Sequence, residues 1–171
     1  MVHEVFDAAR SGDSEQLKVL LDKDPALANK ENEDGLTPLG FAAHYGQAEA
    51  VKVLLAYGAE VNAVSHSRIA YIPSNTALHA AIAGERDAAV IELLLMSKAD
   101  PNVFDSNGHT SLHTAAFHAD STDLIQLLVE HGADVHAKAE GGDDAVSLAK
   151  SRGNLRVLAL LEQYMQGSGI D

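Results

Sequence analysis

Apolar residues recur along the chain in short paired runs at helical spacing. Leu39, Ala42 and Ala43 stand at i, i+3 and i+4; after Gly46, Val51, Leu54 and Leu55 repeat those offsets. Such offsets place side chains on one helix face, so each run predicts a short amphipathic helix with a glycine turn between the two. The entry to each pair carries its own signal. Thr37-Pro38-Leu39, Thr76-Ala77-Leu78-His79, Thr110-Ser111-Leu112-His113 and the degenerate Asp144-Ala145-Val146 begin four such pairs. A Thr or Asp side chain accepts a backbone N–H that the first helical turn leaves unpaired. Pro38 then falls at the first helical position, where a missing N–H loses nothing. The exits match as well: Gly58-Ala59-Glu60-Val61-Asn62, Lys98-Ala99-Asp100-Pro101-Asn102 and Gly132-Ala133-Asp134-Val135-His136.

The aliphatic residues Leu39, Leu78, Leu112 and Val146 lie 39, 34 and 34 positions apart. A recurrent spacing of this size indicates stacked helical units, none able to bury its apolar stripe alone, and not a globule around one centre. In its Thr-Pro-Leu and Thr-x-Leu-His entries, its paired alanines and its Gly-Ala-Asp exits, the chain resembles the ankyrin repeat family over nearly its whole length. The resemblance implies an all-α ankyrin-repeat solenoid of helix-turn-helix units joined by hairpin-like loops. It also implies that His79 and His113 tie adjacent loops by hydrogen bonds, and that the protein binds another protein through a concave face. The expected organisation is one domain over 1–165. It comprises an N-terminal capping unit 2–32, internal repeats 33–62, 63–102 and 103–136, and a C-terminal capping unit 137–164, with 166–171 as a flexible tail. Val5, Ala8, Ala9, Leu17, Leu20 and Leu21 keep the two-helix pattern in 2–32 without the threonine entry, and the cap-like ends suggest a complete array.

One repeat departs from the spacing. The exit positions Asn29, Asn62, Asn102 and His136 are 33, 40 and 34 apart. From Asn62 to Thr76 is 14 positions, against 8 from Asn29 to Thr37 and from Asn102 to Thr110, so six extra residues lie within Val64–Ser74. This projecting loop carries Ile69, Tyr71 and Ile72. Loops tolerate insertion, so apolar side chains folded back on the next repeat are one reading and a contact element is the other. A seventh extra residue is assigned to the turn between the helices that follow Thr76.

Composition narrows the chemistry. The chain has 25 acidic and 12 basic residues, a formal net charge of −13 at pH 7, and no cysteine. Such acidity argues against a general phosphate-backbone binder, which needs clustered lysine and arginine. Without cysteine there is no disulfide, thiol nucleophile or zinc–thiolate site. No apolar run approaches the roughly 20 residues of a membrane span, and the amino terminus lacks a basic and apolar leader pattern. A cytoplasmic setting is therefore expected. None of the recognised patterns for a catalytic serine, a phosphate loop, a calcium loop or a zinc helix occurs. Of the nine histidines, His66, His118, His131 and His136 have no carboxylate partner at recognised ligand spacing, so no enzyme, cofactor or metal site is expected.

Candidate binding residues come from the positions that face outward in the resembling family, and from the inserted loop. They are Glu31, Glu33, Asp34, Leu36, His44 and Tyr45 in one repeat, and Arg68, Ile69, Tyr71 and Ile72 in the insertion. Phe104, His109, Phe117 and His118 follow in the next, with Asp143 and Arg152 in the last unit. Ala83 and Gly84 are read as a shallow floor between them. Tyr45, Tyr71, Phe104 and Phe117 would be apolar anchors, while Glu31, Glu33, Asp34 and Asp143 steer a partner protein with a basic or mixed surface. The chain is expected to be a monomer without nucleic-acid or membrane partners. The alternatives are a small-molecule or metal-ion sensor built on the long loop with His66 and His118, or a stabilising helper of a dedicated enzyme.

Overall fold

The computed structural model describes residues 1–86 and 88–167. Ten α-helices, a short 3-10 helix and connecting loops make up the described residues, with no strand among them. The helices gather into two compact units, one of Met1–Ala99 and one beginning at Asp100.

The first unit contains α1 (Val2–Ser11), α2 (Ser14–Lys23), the 3-10 helix Pro25–Asn29, α3 (Pro38–His44), α4 (Ala48–Ala56), α5 (Ala77–Ala83) and α6 (Ala88–Met96). The first helix of each pair packs on the first helix of the next, α1 on α3 and α3 on α5. The second helices do likewise, α2 on α4 and α4 on α6. Ala9, Ala42 and Val51 are fully buried between these rows, with Leu17, Leu21, Leu54 and Leu94. Alanine stripes let the helices of a row approach closely. Gly84 shows how closely: a Cβ there would stand 2.1 Å from the carbonyl oxygen of His44. Gly84 is therefore small because a neighbouring helix end abuts it, a packing reason that the expectation of a shallow floor missed.

The second unit contains α7 (Ser111–His118), α8 (Thr122–Glu130), α9 (Ala145–Arg152) and α10 (Leu155–Gly167). Here α7 packs on α9 and α8 on α10, burying Leu112, Ile125, Leu128, Val157 and Leu161. Because α10 continues through Gly167, Gln166 and Gly167 are helical where the sequence placed the start of a tail. The apolar stripe of Val157 and Leu161 carries the helix past Tyr164, and nothing at Gln166 breaks it. Ser168 to Asp171 lie outside the described residues.

The entry chemistry forms as read. The hydroxyl of Thr37 accepts the Gly40 N–H at 3.0 Å, and the Asp144 carboxylate accepts the Ser147 N–H at 2.9 Å. At Thr76 and Thr110 the caps are reciprocal, with the third-position histidine returning a ring nitrogen to the cap. The exit asparagines link successive repeats. Asn29 donates to the Gly58 carbonyl at 2.9 Å while its own amide oxygen accepts from the Glu60 N–H at 2.9 Å. Asn102 does the same with Gly132 and Asp134, both at 2.8 Å.

Candidate functional site

The inserted loop in the first unit is an ordered finger. At its base the Ser65 N–H donates to the Asn75 carbonyl at 2.9 Å, and the Asn75 N–H returns to the Ser65 hydroxyl at 3.0 Å. Above this pair the Ser67 N–H donates to the Ser74 hydroxyl at 3.0 Å, and the Ile72 N–H closes a turn on the Ile69 carbonyl at 3.0 Å. One side of the finger lies along the loop of the preceding repeat. The N–H groups of His66 and Arg68 donate to the carbonyls of Gly35 and Asp34, each at 2.9 Å. The loop passes so near Gly35 that a Cβ there would come within 1.9 Å of the His66 carbonyl oxygen, and Gly35 takes φ +76°. Only glycine meets both conditions.

Side chains add to the clamp. Glu31 accepts from the His66 N–H at 3.1 Å and lies 2.7 Å from its Nδ1, while the Arg68 guanidinium donates to the Glu33 carbonyl at 3.1 Å. His66 thus has a carboxylate partner 35 positions away, a separation that no local ligand spacing includes. Ile69 and Ile72 are half-buried, whereas Tyr71 at the turn is 86% exposed. Glu33 and Asp34 also face solvent, and Leu36 is half-buried.

At the end of α3, Tyr45 is half-buried. Its ring meets Phe41 and His44, each with centroids 5.1 Å apart, and Phe41 in turn meets Phe6 edge-on at 5.1 Å. The Arg10 guanidinium covers Tyr45 at 5.4 Å from the ring centroid. Sequence reading missed Phe41 and Arg10. The signal was present in the repeat offset, since Phe6–Phe41 and Arg10–Tyr45 are both 35 positions apart.

In the second unit Phe104 is 49% and Phe117 is 40% exposed. The Phe117 ring meets His118 edge-on at 5.4 Å, and Arg152 from the last turn of α9 lies over it at 4.4 Å from the centroid. His109 is half-buried and stacks on His113 at 5.6 Å. His113 is buried and serves the structure. The Thr110 N–H can only donate, so His113 Nδ1 accepts from it at 3.1 Å. The proton is thereby assigned to Nε2, which donates to the Asp143 carbonyl at 3.1 Å. This bond ties the loop before α9 to α7. Burial lowers the His113 pKa below its ordinary value, against the smaller opposing effect of the bond to Asp143. The Asp143 carboxylate itself is exposed.

Among the described residues no group of three His, Cys, Asp or Glu side chains is placed to hold a metal ion, and no helix is long and apolar enough to cross a membrane.

A family model described as Ankyrin repeats (3 copies) matches residues 5–104 and 70–139. The chain is 40% identical over 116 residues to an ankyrin repeat-containing protein of Treponema pallidum (strain Nichols), covering 68% of this chain and 37% of that protein. It is 29% identical over 136 residues to an ankyrin repeat protein of fowlpox virus (strain NVSL), covering 77% of this chain and 38% of the other. A third similar protein, from Oryza sativa subsp. japonica, carries the name of an E3 ubiquitin-protein ligase; it is 35% identical over 127 residues, 73% of this chain and 23% of its own length. The chain thus spans well under half the length of these curated relatives.

Proposed function

Because the chain belongs to the ankyrin repeat family, whose repeats are generally protein–protein interaction modules, we propose that it binds a partner protein without catalysing a reaction, using its finger and its exposed helix ends. The observation that carries this reading is the exposure of large apolar side chains at positions the fold holds in place. Tyr71 stands on a finger clamped through both its backbone and its side chains. Phe104 and Phe117 stand out from a unit whose core residues are buried. Folding normally buries such side chains, and exposed aromatics on an ordered frame mark binding surfaces. An ordered frame also lowers the entropy cost of association, since little is left to immobilise. Glu33 and Asp34 beside the finger add a carboxylate edge suited to a partner's lysine or arginine. Their contribution is to encounter rate more than to final affinity.

The test is affinity capture from a native-source lysate read by mass spectrometry, with the wild type run beside the Phe104→Ala/Phe117→Ala variant. Both rings are substantially exposed, so the variant keeps its helical circular dichroism and its melting temperature to within a few degrees. The expected result is a partner recovered with the wild type and lost with the variant. Unfolding of the variant would make the two phenylalanines core residues and remove the assignment. Equal recovery by both would place the binding surface elsewhere.

A further inference from the structure

Each compact unit presents an arginine lying on an aromatic ring at the same place in a repeat. Arg10 and Arg152 both occur in the last turn of the first helix of a pair. Each covers a ring at the end of a neighbouring first helix, Tyr45 in one unit and Phe117 in the other. The ring's negative face attracts the guanidinium, whose carbon lies 5.4 Å from the Tyr45 centroid and 4.4 Å from the Phe117 centroid. In a chain with 25 acidic residues, neither guanidinium takes a carboxylate among the described residues. Lys18, Lys52 and Arg156 do, with Glu15, Glu49 and Asp120. The closer of the two stacks, Arg152 on Phe117, is also the more open, since Phe117 is 40% exposed and Arg152 is exposed.

We propose that the Arg152–Phe117 stack is a carboxylate-reading site, whose occupant is a peptide segment of a partner protein carrying an Asp or Glu next to an apolar residue. This rests on the reading that the protein is a partner-binding module and specifies the chemistry of one of its contacts. The complementarity is of two kinds. A guanidinium presents parallel N–H donors that match the two oxygens of a carboxylate. The exposed flank of the Phe117 ring offers apolar surface to the neighbouring side chain. A free phosphate would leave the Phe117 flank unused, and a nucleic acid would bring many phosphates into the negative field of the chain, which favours the peptide. Lysine in place of Arg152 would keep the charge and lose the fork.

The test uses the full chain to select from a random twelve-residue phage-displayed peptide library, read by sequencing. Arg152→Gln and Arg152→Lys are selected in parallel, after thermal melts show that both keep the wild-type transition. The expected result is that wild type enriches peptides with Asp or Glu adjacent to an apolar residue, and that this enrichment falls at least tenfold with both variants. Acid enrichment retained by Arg152→Lys would reduce the site to a simple charge and overturn the proposal. Enrichment of basic peptides, of peptides without acid preference, or of none would overturn it too. The first two of those outcomes would leave the partner-binding reading standing, and that reading has its own test in the lysate capture.

Discussion

Helix α7 carries two residues whose surroundings make separate demands. Ser111 is fully buried at the first helical position, and its hydroxyl is a buried side-chain atom without a hydrogen-bond partner among the described residues. In the earlier copy Pro38 fills the equivalent place, with no polar atom to satisfy. Removing an unsatisfied buried hydroxyl recovers its desolvation cost, so Ser111→Ala is expected to raise unfolding stability by about 1 kcal/mol in urea titration. An unchanged or lower midpoint would mean that the hydroxyl is satisfied in solution. Two positions on, His113 is neutral by construction. Burial lowers its pKa, and its Nδ1 accepts from Thr110 and so has no room for a second proton. The unfolded chain therefore binds that proton more readily than the folded one. The stabilising effect is fully present above the ordinary value of 6.5 and is lost as pH falls from there toward the folded value. Melts from pH 8 to pH 5 should show a steeper acid loss in the wild type than in His113→Gln. Parallel curves for the two proteins would exclude His113 as the source.

The finger is the element in which local and distant interactions divide most clearly. Its own pairs, Ser65 with Asn75 and Ser67 with Ser74, set its base. Its alignment along the preceding loop depends on the backbone bonds from His66 and Arg68 and on Glu31. Glu31→Ala should therefore speed amide exchange across 65–75, most of all at His66. Global stability should move by no more than about 1 kcal/mol, since His66 is largely exposed. Exchange as slow as in the wild type would show that the backbone bonds alone hold the finger. A companion variant that shortens the Asn62–Thr76 interval from 14 to the 8 positions of the other repeats tests its role. Deleting a loop that projects from the helices leaves their packing intact, so the melt should be retained. Partner capture should fall if Tyr71 is a contact, and full capture would make the insertion a neutral length change.

Within each unit, stability comes from neighbouring repeats, because one helix pair buries its apolar stripe on the next. In the second unit α9 and α10 cover α7 and α8. Removing the residues after His136 would expose Leu112 and Ala116 on α7, with Ile125 and Leu128 on α8. That truncation should lose more helical signal than α9 and α10 contribute, and light scattering should reveal association. A loss confined to the deleted helices would show that α7 and α8 stand without them. The net charge of −13 acts at this scale too, opposing non-specific association of the acidic surface.

What the sequence determined by itself is everything governed by interactions within a few residues. The helix faces follow from apolar offsets of three and four, the starts from Thr37, Thr76, Thr110 and Asp144, and the position of the finger from the interval between Asn62 and Thr76. Only the tertiary structure decided which side chains meet across repeats. It set Tyr45 as a half-buried ring beneath Arg10, gave His66 its carboxylate, and made Gly84 a packing requirement against His44. It also separated Tyr71 from Ile69 and Ile72, three apolar neighbours in sequence that differ in exposure. The physical reason is the fold's own period. Glu31–His66, Arg10–Tyr45 and Phe117–Arg152 are each 35 positions apart, one repeat and a little more, so their meeting depends on how one repeat docks against the next. Helical offsets carry no trace of that docking geometry, and it alone brings an arginine over a ring one repeat away.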